Sequence, residues 1–155
     1  MESDGRTRPV HLPPNERHNT PIIIYVTVCT KSRKKILADA AVHEWLREAW
    51  QANTAWLVGK YMIMPDHVHF FCAPGEVNMP ELASWMKFWK SCSARFWPHP
   101  DQTPVWQREC WDTQLRRHES YEAKWTYVEE NPVRAGLVKH AEDWPYQGEL
   151  NELRW

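Results

Sequence analysis

No apolar run in the 155-residue chain is long enough to cross a bilayer. The longest, around Ile22 to Val28, falls far short of the roughly 20 residues a helical span needs. Cysteine is sparse and scattered: Cys29, Cys72, Cys92 and Cys110 form no CxxC pair. With no secretory signal in front, they read as reduced thiols of a cytoplasmic protein with no membrane role. GxGxxG, GxxxxGK and GxSxG are all missing, which removes support for a nucleotide cofactor or a hydrolase elbow. No internal repeat is visible. Positive charge is not in excess either: the net charge is −1 and the pI about 6.7, against the basic balance usual in nucleic-acid binders. What remains open is local clustering, at Lys31 to Lys35, at Lys87 with Lys90, and at Arg116-Arg117.

The chain does have 43% hydrophobic and 25% charged residues, the balance of one folded globular domain. Eleven tryptophans are many for this length; most are expected in the core, with some exposed and suited to stacking on bases. Residues 1–20 are polar and proline-bearing and read as a flexible N-terminal arm. Residues 21–28 are β-branched and aromatic, a buried strand. Asp39 stands where it could cap a helix whose stripe is Val42, Trp45, Leu46, Ala49 and Trp50. Strands are predicted at 56–64 and 67–72, interrupted by Pro65-Asp66. A helix over 80–97 follows, with Leu82, Trp85, Met86, Trp89 and Phe96 near one face. A short strand at 105–107 precedes a last helix over 120–131, which Pro132 ends. This order predicts an α+β fold of the ferredoxin-like class, an antiparallel sheet with helices packed on one face.

Residues two apart on a strand share a face, so His67 and His69 present two imidazoles side by side while Val68, Phe70 and Cys72 turn to the apolar layer. Such a pair can bind a divalent metal if a third ligand comes from elsewhere. Cys72 points away, so a closed zinc site is not expected. On the last helix Tyr121, Trp125 and Val128 form the core stripe, whereas Tyr127 and Asn131, four apart, share another face. A tyrosine on a helix is more often a packing residue than a nucleophile, so this pair alone decides nothing.

Two segments lift the ambiguity. YMIMPDHVHFF at 61–71 resembles the histidine–hydrophobic–histidine signature of the single-tyrosine HUH transposases, and YVEENPVRAGLV at 127–138 resembles their tyrosine-bearing helix. PVWQ at 104–107 and the run 111–116 are similar to the region linking the two. The resemblance covers residues 21–146, leaving 147–155 as a C-terminal tail, and is strongest to the REP-associated tyrosine transposases, domesticated relatives of insertion-sequence enzymes. It implies a ferredoxin-like or RRM-like sandwich. It also implies Tyr127 as nucleophile, giving a 5'-phosphotyrosine link, and Mg2+ or Mn2+ held by His67, His69 and Asn131. The implied partner is single-stranded DNA folded as a hairpin at palindromic ends; by their charge and position, Lys31, Arg33, Lys87, Lys90 and Arg134 are the side chains expected to track its backbone. The working unit would be a monomer or a homodimer. Two alternatives stand beside it: a domesticated hairpin-binding protein that folds the same way but no longer cuts, and a replication or mobilisation nickase using the same chemistry, whose relatives tend to be longer. Asp66 departs from the family, which commonly has asparagine there; it could join a metal site or cap the turn.

Overall fold

The β-branched run found in the sequence becomes an interior strand of a five-stranded sheet. In a computed structural model, residues 22–115 and 118–154 are described; the arm at 1–20 and the pair Arg116-Arg117 lie outside them. The strands are β1 (Ile23–Thr30), β2 (Trp56–Ile63), β3 (His67–Pro74), β4 (Trp106–Leu115) and β5 (Gln147–Glu149), in the spatial order β4-β1-β3-β2-β5 with every pairing antiparallel. With α1 (Ala40–Ala52) after β1 and α2 (Leu82–Arg95) after β3, the first four strands have the ferredoxin-like connection expected from the sequence. A further helix, α3 (His118–Glu129), and a single turn, α4 (Asn131–Arg134), precede β5.

Alternation decides what each face carries. Ile24, Val26 and Val28 of β1 and Val68, Phe70 and Cys72 of β3 are buried against α1 and α2. The stripes meeting them are Val42, Leu46 and Trp50 on α1, and Leu82, Trp85, Met86 and Trp89 on α2. Trp89 is the hub, its ring 5.3 Å from Trp106, 5.8 Å from Trp50 and 6.0 Å from Phe70. The tryptophans expected in the core are there, but no described tryptophan is exposed; the exposed aromatics are Phe88, Phe96 and Tyr127. Phe96 leaves the stripe proposed for it because α2 ends at Arg95; its backbone turns non-helical and its ring meets the Arg95 guanidinium instead.

The ferredoxin-like helices α1 and α2 do share one face, whereas α3 covers the other. The reason lies in the residues of that second face: Ile23, Met62, Phe71 and Leu115 are apolar too and need cover, which Tyr121, Trp125 and Val128 of α3 supply. Cover is incomplete. It spans the Phe71 end of β3 and leaves the His67 end more open.

β4 runs for ten residues where the sequence suggested three, and residues 147–149, past the boundary expected at 146, add β5 to the β2 edge. The chain beyond β5 closes over Gly59, where an added Cβ would lie 2.6 Å from the Leu153 side chain, so a larger residue there would have to displace it. Trp144 Nε1 donates to the Ile63 carbonyl at 2.9 Å and fixes the same corner.

Candidate active site

The antiparallel register puts Thr27 opposite His69 and Cys29 opposite His67. The two imidazoles stand side by side on β3, ring centroids 4.7 Å apart and nearly perpendicular. Each is held by its Nδ1. His67 Nδ1 lies 2.7 Å from Asp66 Oδ1, and His69 Nδ1 lies 2.8 Å from the Tyr25 hydroxyl and 2.9 Å from Thr27 Oγ1. Both rings therefore have their Nε2 atoms left over, the usual division of labour when histidine binds a metal. The donor chemistry fits a divalent ion at this pair. Among the described residues no three His, Cys, Asp or Glu side chains group to hold an ion.

Burial holds His69 neutral, with the charges of His67, Lys124 and Arg134 adding to it, and its pKa is pulled from 6.5 down to about 3. An unfolded chain takes up that proton near the ordinary value and the folded chain only near the lower one. The unfolded state thus binds more protons between the two, and stability falls as pH drops through that window. Chelator-treated protein is expected to lose on the order of a few kcal/mol between pH 6.5 and about 4, read from urea midpoints. His69→Gln should flatten that slope; equal slopes for both proteins would refute the assignment. At Asp66 the upward push of burial is outweighed by the bond to His67 and the charge of Arg33, so its carboxyl stays below the ordinary range.

Tyr127 lies exposed on α3, off the buried stripe of Tyr121 and Val128. Arg134 stacks its guanidinium over the Tyr127 ring at 4.0 Å and donates to the Tyr127 carbonyl at 2.8 Å. Lys124 spans two elements, its ammonium 4.8 Å from the Tyr25 ring centroid and 5.9 Å from that of Tyr127. Tyr25 in turn touches His69, so a chain of contacts runs from the tyrosine helix to the histidine strand within one polypeptide. Tyr25 itself feels this grouping: burial raises its pKa, the Thr27 bond lowers it, and the charges of Tyr127 and Arg134 act with smaller, opposed effects.

Asn131 is placed differently from the sequence expectation. Pro132 has no N–H to donate to the Val128 carbonyl, so α3 ends at Glu129 and Asn131 opens α4. Its Oδ1 accepts from Arg134 at 2.6 Å. Of the five cations expected to follow DNA, Arg33 and Arg134 belong to this side of the molecule, and Lys31 lies exposed in the 3-10 turn with Arg33. Lys87 is exposed on α2, which packs on the opposite face. Lys90 is tied down there: its ammonium donates to the Gln107 and Arg108 carbonyls at 2.7 and 3.0 Å, and burial lowers its pKa. Sequence reasoning missed Lys124, Tyr25 and Thr27. The signals were present, since Tyr25 and Thr27 alternate with the buried β1 residues and Lys124 stands one turn before Tyr127.

The family model described as "Transposase IS200 like" matches residues 20–129, a stretch that includes both histidines and Tyr127. The chain belongs to the IS200-like transposase family. A REP-associated tyrosine transposase of Escherichia coli is 24% identical over 89 residues, covering 57% of this chain and 52% of that protein. A Haemophilus influenzae protein assigned to the same class is 27% identical over 95 residues, covering 54% and 53%. The chain thus spans about half the length of the curated relatives it matches. A solved REP-associated tyrosine transposase bound to a REP hairpin superposes with a TM-score of 0.69 at 20% identity, covering 92% of this chain and 81% of that one. At that identity the likeness speaks for the fold, and it agrees with the sheet order above. Asn131 and Arg134 lie just past the segment that the IS200-like model matches. No helix among the described residues is long and apolar enough to cross a membrane.

Proposed function

We propose that this transposase cleaves and rejoins single-stranded DNA at hairpin sites, with Tyr127 as the nucleophile. The observation that carries the reading is the grouping on one sheet face of two strand histidines 4.7 Å apart and a helical tyrosine flanked by Arg134 and Lys124. Tyr127 is exposed, as a residue that must meet a polymer has to be. Its Oη would form a bond to phosphorus while the bond to the 3' oxygen breaks. The phenol gives up its proton and the departing oxygen gains one, leaving a 5'-phosphotyrosine and a free 3'-hydroxyl. Rejoining is the reverse, with a 3'-hydroxyl attacking phosphorus and Tyr127 leaving, and it needs no ATP because one phosphodiester is exchanged for another of similar energy.

Arg134 and Lys124 would hold the phosphate against the tyrosine, since both cations lie over its ring. His67 and His69 would hold Mg2+ or Mn2+ through Nε2; the ion, when bound, offsets charge on the phosphate oxygens. The Oδ1 of Asn131 could serve as third donor through its second lone pair, the first being taken by Arg134. Since Lys124 already links the tyrosine helix to the strand beside His69, we read the site as assembled within a single chain.

The test uses hairpin-containing single-stranded DNA from the flanks of the protein's own gene. Wild-type protein with Mn2+ or Mg2+ is expected to form a covalent protein–DNA adduct, stable on a denaturing gel, and chelation should abolish it. Binding of the hairpin without any adduct in either metal would make the chain a non-cleaving hairpin binder instead.

A further inference from the structure

Asp66 occupies the turn just before the histidine pair, and its two carboxylate oxygens are divided between two partners. Oδ1 lies 2.7 Å from His67 Nδ1, while Oδ2 accepts from Arg33 Nε at 3.1 Å and forms an ion pair with the Arg33 Nη2, also at 3.1 Å. A carboxylate only accepts, so the proton of this contact sits on His67 Nδ1 and the lone pair of the ring is left on Nε2.

The turn that delivers Arg33 is built at some cost. Ser32 and Arg33 both have positive φ, 58° and 53°, a region that side chains other than glycine rarely adopt. Backbone bonds hold this turn to the one that carries Asp66. Thr30 N–H donates to the Asp66 carbonyl at 3.0 Å, and Leu37 N–H to the Pro65 carbonyl at 2.9 Å. The fully buried Thr30 hydroxyl lies 2.7 Å from the Lys34 carbonyl and 3.1 Å from that of Asp66. The strained turn at Ser32-Arg33 is thus laced to a segment distant in sequence at the point where Arg33 meets Asp66.

We propose that Arg33 and Asp66 are positioning residues for His67: the relay fixes the Nδ1–H tautomer and the ring's orientation, so that Nε2 is presented to the ligand. This rests on the reading of His67 as a metal ligand given above. It gives Arg33 a role other than following the DNA backbone, and gives Asp66 one other than ligand or turn cap. An asparagine at this position would set an NH2 donor where one of the two oxygens now accepts, facing the N–H of His67 or the Arg33 guanidinium, so accepting from both partners on separate oxygens needs the carboxylate.

Long-range proton–nitrogen NMR of the full chain, labelled with 15N and free of metal, reads the histidine tautomers directly. Mn2+ affinity by electron paramagnetic resonance reads the consequence. Wild type is expected to show His67 protonated at Nδ1. Asp66→Ala should release that preference and weaken Mn2+ binding by about 10- to 100-fold. Arg33→Ala, a change at an exposed side chain, should weaken it less, and Asp66→Asn should keep the tautomer with intermediate affinity. A wild-type His67 protonated at Nε2 overturns the proposal, as does an Asp66→Ala protein with unchanged tautomer and affinity. So does a loss in Asp66→Ala as complete as in His67→Ala with the tautomer unmoved, which would make Asp66 a ligand. If the tautomer behaves as expected while wild type binds no Mn2+, the relay stands and the metal reading fails.

Discussion

Tyr127→Phe is expected to abolish covalent linkage to DNA, lowering strand cleavage by on the order of 10^4-fold or more while hairpin binding persists. The substitution removes one hydroxyl and nothing else that the fold uses. The ring stays available to the Arg134 guanidinium stacked on it at 4.0 Å, and the Arg134 bond to the Tyr127 carbonyl is a backbone contact that the change does not touch. Because the side chain is exposed, stability should move by no more than about 0.5 kcal/mol. Cleavage on a labelled hairpin, scored together with binding on the same oligonucleotide, separates the two effects. A phenylalanine variant that still forms the adduct would remove Tyr127 from the chemistry, and loss of binding along with cleavage would show the hydroxyl to be a DNA contact instead.

Trp89→Ala should be the most damaging single truncation in the core. Trp89 is fully buried between the helices and the sheet, against Trp50, Phe70, Trp85 and Trp106, with its Nε1 on Met86 Sδ. Deleting the ring leaves a hole that four aromatic neighbours cannot close without leaving their rotamers. A loss of about 3–5 kcal/mol follows, which for a chain of this length is a fall in Tm of roughly 6–20 °C. Phe96→Ala is the matched control, an aromatic truncation on the same helix's end where the ring is 69% exposed, and it should change stability by under about 0.5 kcal/mol. Comparable losses at both positions would mean that the core is not where the alternation places it.

Much of this was legible in the residues. The alternation in β1 and β3, the stripe of α1 and that of α2 as far as Trp89, and the pairing of His67 with His69 on one face follow from periods of 2 and 3.6 and appear in the structure. What escaped depended on partners distant in sequence. β4 reads as only three residues because Glu109, Asp112 and Thr113 blur the alternation of an edge strand, and its pairing with β1 is what extends it. β5 is three residues long and exists through its bonds to β2. Lys90 looks like any solvated helix cation until its ammonium is seen on two carbonyls of β4. Asn131 depends on how the chain turns at Pro132, which spacing alone does not specify. Arg33 and Asp66, 33 positions apart, meet only because two loops are laced by Thr30.

The division of β3 between its two faces has a consequence for insertions and deletions. Substitutions at His67 or His69 leave Val68, Phe70 and Cys72 anchored, so such variants should fold and report on chemistry alone. Losing or gaining one residue between Pro65 and Phe70 would instead exchange the faces, driving two imidazoles into the aromatic layer and turning Val68 and Phe70 toward Lys124 and the tyrosine helix. In this stretch the reading frame of the strand, more than the identity of any one residue, keeps the chemistry and the core apart.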